Sequence, residues 1–214
     1  MRNLISRSFA VWALCLIGLA FISAGARAQD NDPALLKTVL AQLSSHASVR
    51  AEFTQSRENP ALAQPQVSRG QLLFVIGHGM LWQTHEPYAE TLALTGSRTA
   101  RIDAQGQLQT VRGGERGVSQ VSQMLQSMLA GKPDDALRQF DIKTQGTASQ
   151  WVLRFVPRQS RMARVLAGIE LDGGSFLQGI RVDLQNGETT RIRFTDTRDA
   201  GTLSALETRA LAIP

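Results

Sequence analysis

For most of its length, this chain places apolar residues at every second position, in short runs separated by turn-forming residues. A period of two is typical of β-strands, because successive side chains point to opposite faces of a sheet. Short turns between consecutive strands favour antiparallel pairing. An antiparallel sheet of this size usually curls on itself or splits into two layers, so we predict a mainly β fold of the α+β class with a strongly curved sheet. The pattern predicts ten to eleven strands, at residues 49–54, 70–76, 80–84, 91–95, 98–103, 107–112, 140–144, 151–155, 169–171, 180–184 and 190–195.

Helical periodicity interrupts the strands twice. Asp32-Pro33 is a typical helix start, and the apolar spacing after it predicts a helix over residues 33–47. A second apolar stripe at helical spacing covers residues 121–129, and a short helix is expected over 133–140. We expect these helices to cover the open end or the concave face of the sheet. The tail, residues 203–214, fits neither period.

Residues 1–28 have the three parts of a secretory signal peptide. Arg2 and Arg7 supply positive charge, residues 9–22 form an apolar run, and small residues precede an expected cleavage after Ala28. The alternative is an uncleaved membrane anchor, but the run has about 14 residues where spanning a bilayer takes roughly 20. The sequence therefore predicts an exported protein.

The mature part, residues 29–214, is long enough for one domain with a sizeable core. The single cysteine, Cys15, lies inside the signal peptide, so the mature chain has no thiol or disulfide. Lipid attachment at Cys15 is rejected because Leu14 precedes it, where that processing needs a small residue. The mature part keeps 20 basic and 18 acidic side chains, a balance that does not favour nucleic-acid binding.

Catalytic and metal-binding motifs are not recognisable. His78 and His85 are separated by a strand, with no cysteine to complete a metal site. Ser175 lacks the following glycine of a nucleophile elbow. The neighbouring carboxylates Asp134 and Asp135 follow a proline, where acids favour a helix start. We expect neither an enzyme nor a bound cofactor or metal.

Arginines cluster in two places, and their role stays open at this point. One interpretation is the solvent face of a half-buried sheet. The other is a basic surface for anionic head groups or for an acidic partner. The clusters are Arg154, Arg158, Arg161 and Arg164, and then Arg191 and Arg193.

A series of short motifs runs through nearly the whole mature chain. The series consists of Val49-Arg50-Ala51-Glu52-Phe53-Thr54-Gln55, Gly70-Gln71-Leu72, Trp82, Pro87, Leu177, Ile180, Asn186-Gly187-Glu188-Thr189-Thr190 and Ile192-Arg193-Phe194. Together with the leading helix and the signal peptide, these motifs resemble the outer-membrane lipoprotein carrier family, the LolA-like periplasmic chaperones, as a divergent branch.

The resemblance implies an unclosed antiparallel barrel whose helices form a lid over an apolar cavity. It also implies a monomeric carrier that holds acyl chains between an inner-membrane exporter and an outer-membrane acceptor. In the founding carriers an arginine before proline latches the lid, whereas this chain has Ile76-Gly77 at that place. The implied cargo is a lipoprotein, or another lipid-like amphiphile.

On this basis we expect a lipid-binding cavity and a lid, although the same residues could instead fill an ordinary core. Methionines suit surfaces that must accept variable apolar shapes. The expected cavity residues are Leu72, Phe74, Ile76, Met80, Trp82, Leu92, Leu94, Trp151, Leu153 and Phe155, and the expected lid residues are Met124, Leu125, Met128 and Leu129.

Two other functions remain as alternatives. A periplasmic sensor or adaptor could use the same fold to bind a protein partner, and it would have a closed, packed sheet interior. A hydrolase would need a serine, histidine and acid brought together without a sequence motif.

Overall fold

The computed structural model describes residues 32–96, 98–111 and 124–213. Within them, eleven strands form one antiparallel sheet, which confirms the predicted mainly β fold. The strands are β1 (Ser48–Glu58), β2 (Gln66–Val75), β3 (Gly79–Glu86), β4 (Glu90–Leu94), β5 (Thr99–Ile102), β6 (Leu108–Thr110), β7 (Phe140–Thr147), β8 (Gln150–Pro157), β9 (Leu166–Gly173), β10 (Leu177–Leu184) and β11 (Thr189–Asp199).

The sheet consists of two meanders joined through the first and last strands. Its order is β6-β5-β4-β3-β2-β1-β11-β10-β9-β8-β7, so every neighbouring pair except β1 and β11 is also consecutive in the chain. The β1–β11 pair brings Phe53 opposite Phe194. β6 and β7 are the two edges, and the sheet does not close between them. This is the unclosed antiparallel sheet that the resemblance implied.

Five short helices accompany the sheet in the described residues: α1 (Pro33–Ser44), α2 (124–129), α3 (Asp134–Gln139), α4 (Ser160–Ala163) and α5 (Ala205–Ala210). α1 begins as predicted, because the Asp32 carboxylate accepts a hydrogen bond from the backbone N–H of Ala34 at 2.8 Å. It ends earlier than the predicted residue 47, since the chain must turn there to enter β1. The beginning of the second predicted helix lies outside the described residues.

The inner face of the sheet carries the main core. α1 and α2 contribute apolar side chains to it, and β1, β8, β9, β10 and β11 contribute alternate residues. β2, β3 and β4 extend this face through a smaller cluster around Phe74, Met80 and Leu94. The helices therefore cover the inner face, as predicted. The most deeply buried members are Val39, Met128, Trp151, Leu153, Phe155 and Ile169.

The outer face of β2 to β5 carries a second hydrophobic core, which the sequence pattern did not predict. Leu73 and Leu81 are 2% and 1% exposed on this face, where they pack with Ala210 and Leu211 of the C-terminal segment. β2 is apolar on both faces because helices lie on both sides of it. The tail that fitted neither period therefore forms α5 and covers this patch.

An ion pair fastens α5 to the sheet. Arg50 of β1 donates to both carboxylate oxygens of Glu207, at 2.6 and 3.3 Å. Glu207 also closes a capping box with Ser204 at the start of α5. The hydrogen bonds from Arg50 lower the pKa of the Glu207 carboxyl below its usual value, and the same contact raises the pKa of Arg50.

No helix in the described residues is both long and apolar enough to span a bilayer.

Candidate binding cleft

An apolar cleft opens where the C-terminal ends of α1 and α2 meet the inner face of the sheet. The space between its atoms is about 420 Å³, part of which is open to solvent. Only about 40 Å³ lies far enough from every atom to hold the centre of a water molecule. Eleven residues line it: Leu43, His46, Val49, Ala51, Leu72, Phe74, Leu129, Phe176, Leu177, Phe194 and Thr197.

The two-residue period of the strands accounts for the floor of the cleft. Val49 and Ala51 of β1 point to the inner face, and β2 places Phe74 and Leu72 opposite them across the ladder. Phe194 of β11 completes the floor from the other side of β1. Because these three strands are adjacent in the middle of the sheet, their inner side chains form one continuous apolar surface.

The roof of the cleft comes from the two helices. Leu43 lies in the last turn of α1, and Leu129 lies in the last turn of α2. The two helix ends lie close together. A Cβ added at Gly131, just after α2, would lie 3.1 Å from the hydroxyl of Ser44, the last residue of α1. Gly131 has a φ of +69°, a left-handed value that suits glycine after a helix.

His46 stands at one side of the cleft and joins three parts of the molecule. It follows α1, and its ring stacks on Phe176 with centroids 4.1 Å apart. Its Nδ1 lies 2.8 Å from a carboxylate oxygen of Asp199 at the end of β11. The His46 side chain is 19% exposed. It therefore links the α1–β1 connection to the β9–β10 turn and to β11 beside the cleft.

Hydrogen bonds hold α1 over the sheet at both of its ends. At the N-terminal end, the Thr144 hydroxyl accepts from the backbone N–H of Asp32 at 2.7 Å and donates to its carbonyl at 3.2 Å. At the C-terminal end, the Gln42 amide donates to the Gly174 carbonyl at 2.7 Å. The buried indole N–H of Trp151 donates to the same carbonyl at 2.8 Å. The cleft thus lies under an anchored helix.

The structure brings all ten expected cavity residues to the inner face, but only Leu72 and Phe74 line this cleft. Trp151, Leu153 and Phe155 are at most 1% exposed and lie in the packed core. The other five cluster around Phe74: Ile76, Met80, Trp82, Leu92 and Leu94. The inner face in the described residues is therefore mostly filled by side chains, and the space beside them is a narrow cleft.

The expected lid residues divide in the same way. Leu129 lines the cleft, whereas Met124, Leu125 and Met128 are buried against the inner core. All four lie in α2 on the inner side of the sheet. Ile76 stands at the place where, by the resemblance, the founding carriers have a latching arginine. Its backbone N–H donates at 3.0 Å to the carbonyl of Ala47, the residue that follows His46.

The expected cavity residues did not include several residues that line the cleft, although Val49 and Ala51 lie in the predicted strand 49–54. His46 and Thr197 are polar residues at element ends, and Phe176 lies in a turn. No periodic pattern marks such positions, so only the tertiary structure could find them. Their one sequence signal is the aromatic Phe176 directly after a turn of glycines and serine, 173–175.

The cleft wall carries no carboxylate or arginine, and nine of its eleven residues are apolar. Arg50 and Glu207, whose pKa values are shifted by their contact, belong to the attachment of α5 instead. No group of three or more metal-ligating side chains occurs among the residues that the structure describes. The arrangement is therefore suited to contact with an apolar group.

Comparison with known proteins identifies one matching family and several similar folds. The family model described as "Outer membrane lipoprotein carrier protein LolA" matches residues 44–206. No curated protein matches the sequence.

Similar folds occur among solved structures of bacterial proteins. A LolA superfamily protein from Nitrosomonas europaea has a TM-score of 0.46 and 11% identity, over 81% of this chain and 97% of that one. A DUF1329 family protein from Desulfovibrio piger has a TM-score of 0.48 and 12% identity, over 82% and 96%. A chain of the Pseudomonas aeruginosa MucA/MucB complex has a TM-score of 0.48 and 12% identity, over 79% and 59%.

Proposed function

The chain belongs to the LolA family of outer membrane lipoprotein carrier proteins, and on that premise we propose that it carries an acylated cargo across the periplasm. The cargo is a lipoprotein or another lipid-like amphiphile. It passes from an inner-membrane exporter to an outer-membrane acceptor. In this proposal residues 1–28 are a signal peptide removed after Ala28, and the mature protein acts as a monomer without catalysis, metal or cofactor.

The observation that carries the proposal is the apolar cleft between the helices and the inner face. Each acyl CH₂ group left in water costs about 0.8 kcal/mol, so an acylated molecule needs an apolar surface to cross an aqueous compartment. Leu43 and Leu129 offer such a surface on the helices, and Phe74 and Phe194 offer it on the sheet. A cleft with no carboxylate, lysine or arginine in its lining offers the cargo mainly apolar contacts.

The size of the cleft adds a requirement for movement. Pockets that enclose a small ligand usually have about 300–1,000 Å³, and much of the space measured here is open to solvent. An acyl chain can enter fully only if α1 or α2 shifts away from the sheet. The ten expected cavity residues on the inner face would then supply additional contact area.

A ligand-uptake experiment tests the cleft directly. We expect the purified protein to bind a fluorescent fatty acid, and Leu129→Asp to weaken that binding at least tenfold, because a carboxylate in an apolar cleft loses its hydration. Leu206→Asp is the matched control, because Leu206 is an exposed leucine on α5 and does not line the cleft. Equal binding by both variants would exclude the cleft as the binding site.

The native cargo requires a second experiment. Protein recovered from the periplasm of the producing bacterium should carry a bound amphiphile, which lipid extraction and mass spectrometry would identify. A protein that contains no amphiphile and takes up no apolar dye would refute the carrier function. Failure to recover the protein from the periplasm would refute the proposed localisation.

A specific observation also favours a second candidate, a periplasmic sensor or adaptor that binds a protein partner. Trp151, Leu153 and Phe155 fill the middle of the inner face and are at most 1% exposed. A packed interior of this kind is what a protein-binding module would have. This candidate predicts a partner that copurifies after the protein has been stripped of lipid, and no uptake of a fatty acid probe.

A further inference from the structure

The four central connections at one end of the sheet form a rim: residues 59–65 between β1 and β2, 87–89 between β3 and β4, 158–165 between β8 and β9, and 185–188 between β10 and β11. The connection 103–107 between β5 and β6, and the helix α3 before β7, lie farther out at the same end. In an antiparallel meander these alternate connections lie at the same end of the strands. The cleft lining comes instead from the opposite ends of β1, β2 and β11.

Direct contacts join three of the four rim loops. The Asn59 amide donates to the Glu188 carboxylate at 2.9 Å. A Cβ added at Gly187 would lie 3.0 Å from the Pro60 ring. The Gln185 amide donates to the Ala163 carbonyl at 2.9 Å. The rim is therefore a connected surface across the middle of the sheet.

The rim concentrates exposed apolar side chains. Three of the six large apolar residues that are exposed in the described part of the chain lie on it, and Tyr88 is 81% exposed at the tip of the shortest loop. The loops 59–65 and 87–89 contain no charged residue. Scattered single apolar residues are normal on protein surfaces, but a shared location indicates an interaction site. The six residues are Leu62, Tyr88 and Val165 on the rim, Val67 at the start of β2 directly after the loop 59–65, Leu137 on α3 and Leu206 on α5.

The charges around these loops leave the rim positive. Six carboxylates stand at the strand ends or turn beside the rim, and each has an arginine partner: Arg69–Glu86, Arg101–Glu90, Arg57–Glu188, Arg191–Glu58, Arg158–Asp141 and Arg181–Asp183. Asp103 and Asp134 lie farther out at the same end and make no ion pair with the residues that the structure describes. Arg161 and Arg164 are exposed on and directly after α4, and they make no ion pair with any residue that the structure describes. Their charge is therefore available to a partner.

We propose that this rim binds the surface of an anionic phospholipid bilayer. Exposed aliphatic tips and a tyrosine suit the boundary between head groups and acyl chains, where amphipathic rings and apolar side chains partition. Unpaired arginines suit an anionic leaflet, where each contributes about tenfold or less to binding. A protein partner would need shape and hydrogen-bond complementarity, for which these short loops offer mainly small and apolar side chains.

The inner face continues to this rim. Leu184 is the last residue of β10 before the turn at 185–188, and Val182 and Ile192 lie beside it on the inner face. All three are half-buried apolar side chains. A bilayer at the rim would therefore meet the apolar inner surface of the sheet directly. The membrane contact itself does not depend on the carrier function, and it can be tested without cargo.

The experiment uses protein recovered from the periplasm and vesicles of phosphatidylethanolamine with phosphatidylglycerol, measured by cosedimentation. We expect binding to these vesicles and little binding to phosphatidylcholine vesicles. The double variant Arg161→Ser with Arg164→Ser should bind about 30-fold more weakly. The double variant Leu62→Ser with Tyr88→Ser should lose about tenfold. High salt should remove the arginine effect and leave the apolar effect.

Matched controls separate the rim from the rest of the surface. Leu206→Ser removes an exposed leucine of α5 that lies beside the outer connection 103–107 and not on the four rim loops. Arg198→Ser removes an exposed arginine near the other end of β11. Both should bind like the wild type. The proposal is overturned if the wild type does not bind the anionic vesicles, or if either rim variant binds them as strongly as the two control variants. All these side chains are exposed, so unchanged thermal unfolding should confirm that the variants fold.

Discussion

Gly70 is the position at which the smallest substitution should have the largest effect on the fold. A Cβ at Gly70 would lie 1.8 Å from the Gln83 carbonyl oxygen and 2.9 Å from the Thr84 Cα, both backbone atoms of β3. The register between β2 and β3 shifts at this place, between Arg69 and Gly70. Because backbone atoms cannot rotate away as a side chain can, Gly70→Ala must push β3 away from β2.

Moving β3 would also disturb an aromatic contact across β2. Phe53 of β1 and Trp82 of β3 stack with ring centroids 3.9 Å apart. Overpacking of this kind typically costs about 1–3 kcal/mol, and an aromatic pair contributes about 0.5–1.5 kcal/mol beyond its buried area. The alanine gains back roughly 0.4–1 kcal/mol by restricting the unfolded chain. We therefore expect Gly70→Ala to lower the free energy of unfolding by about 2 kcal/mol.

Urea unfolding followed by tryptophan fluorescence measures this effect, and the melting temperature should fall by roughly 4–8 °C for a domain of this size. Gly96→Ala is the matched control, because no described heavy atom lies within 4 Å of its added Cβ and its backbone is not left-handed. It should change stability by less than about 1 kcal/mol. If the two variants unfold within about 0.5 kcal/mol of each other, which is on the order of the error of such measurements, the close approach of β3 is wrong.

Four further predictions address the helices. Thr144→Val should lower the unfolding free energy by about 1–2 kcal/mol in urea titrations, because the buried N-terminus of α1 loses its hydrogen-bonding partner, and Thr144→Ser should restore most of it. Glu207→Gln should destabilise the protein at pH 7, because it removes the ion pair with Arg50. Since the pKa of Glu207 is lowered in the folded protein, the difference in unfolding free energy from the wild type should persist above about pH 4.3, the ordinary glutamate pKa, and fade as the pH falls below it. Urea titrations across pH measure this difference. His46→Ala should speed uptake of a fluorescent fatty acid in stopped-flow measurements, because it removes the link between the α1–β1 connection and the sheet. Met128→Ala should tighten equilibrium binding of that probe if α2 must move, because it weakens the closed state.

The repeated two-residue period made the sheet predictable from sequence. Most strands have one apolar face, and the turn at Asn186-Gly187 marks a hairpin between β10 and β11. Strand ends were less well defined, because pairing partners determine them. β9, for example, begins at Leu166 rather than at residue 169, since β10 continues to pair with it there.

The C-terminal helix and the cleft depended on contacts between residues distant in sequence. α5 has only six residues, and it is stabilised by the outer patch of β2 to β5 and by Arg50 rather than by its own periodicity. The cleft lies where two helix ends, a turn and three strands meet. A pattern of alternating residues shows which face a side chain occupies, but it does not show where two elements leave a gap.

The packed state of the inner face sets the strength with which a cargo can bind. Moving α2 away would expose Met124, Leu125 and Met128, and each fully buried side chain of this type contributes about 1.5–3 kcal/mol. A long acyl chain that replaced them would regain about 0.8 kcal/mol for each buried CH₂ group. The two terms oppose each other and are similar in size, so the net affinity is much smaller than the buried area suggests. The closed, filled interior is therefore compatible with carriage, since it lets the protein's own side chains replace the cargo when it is released.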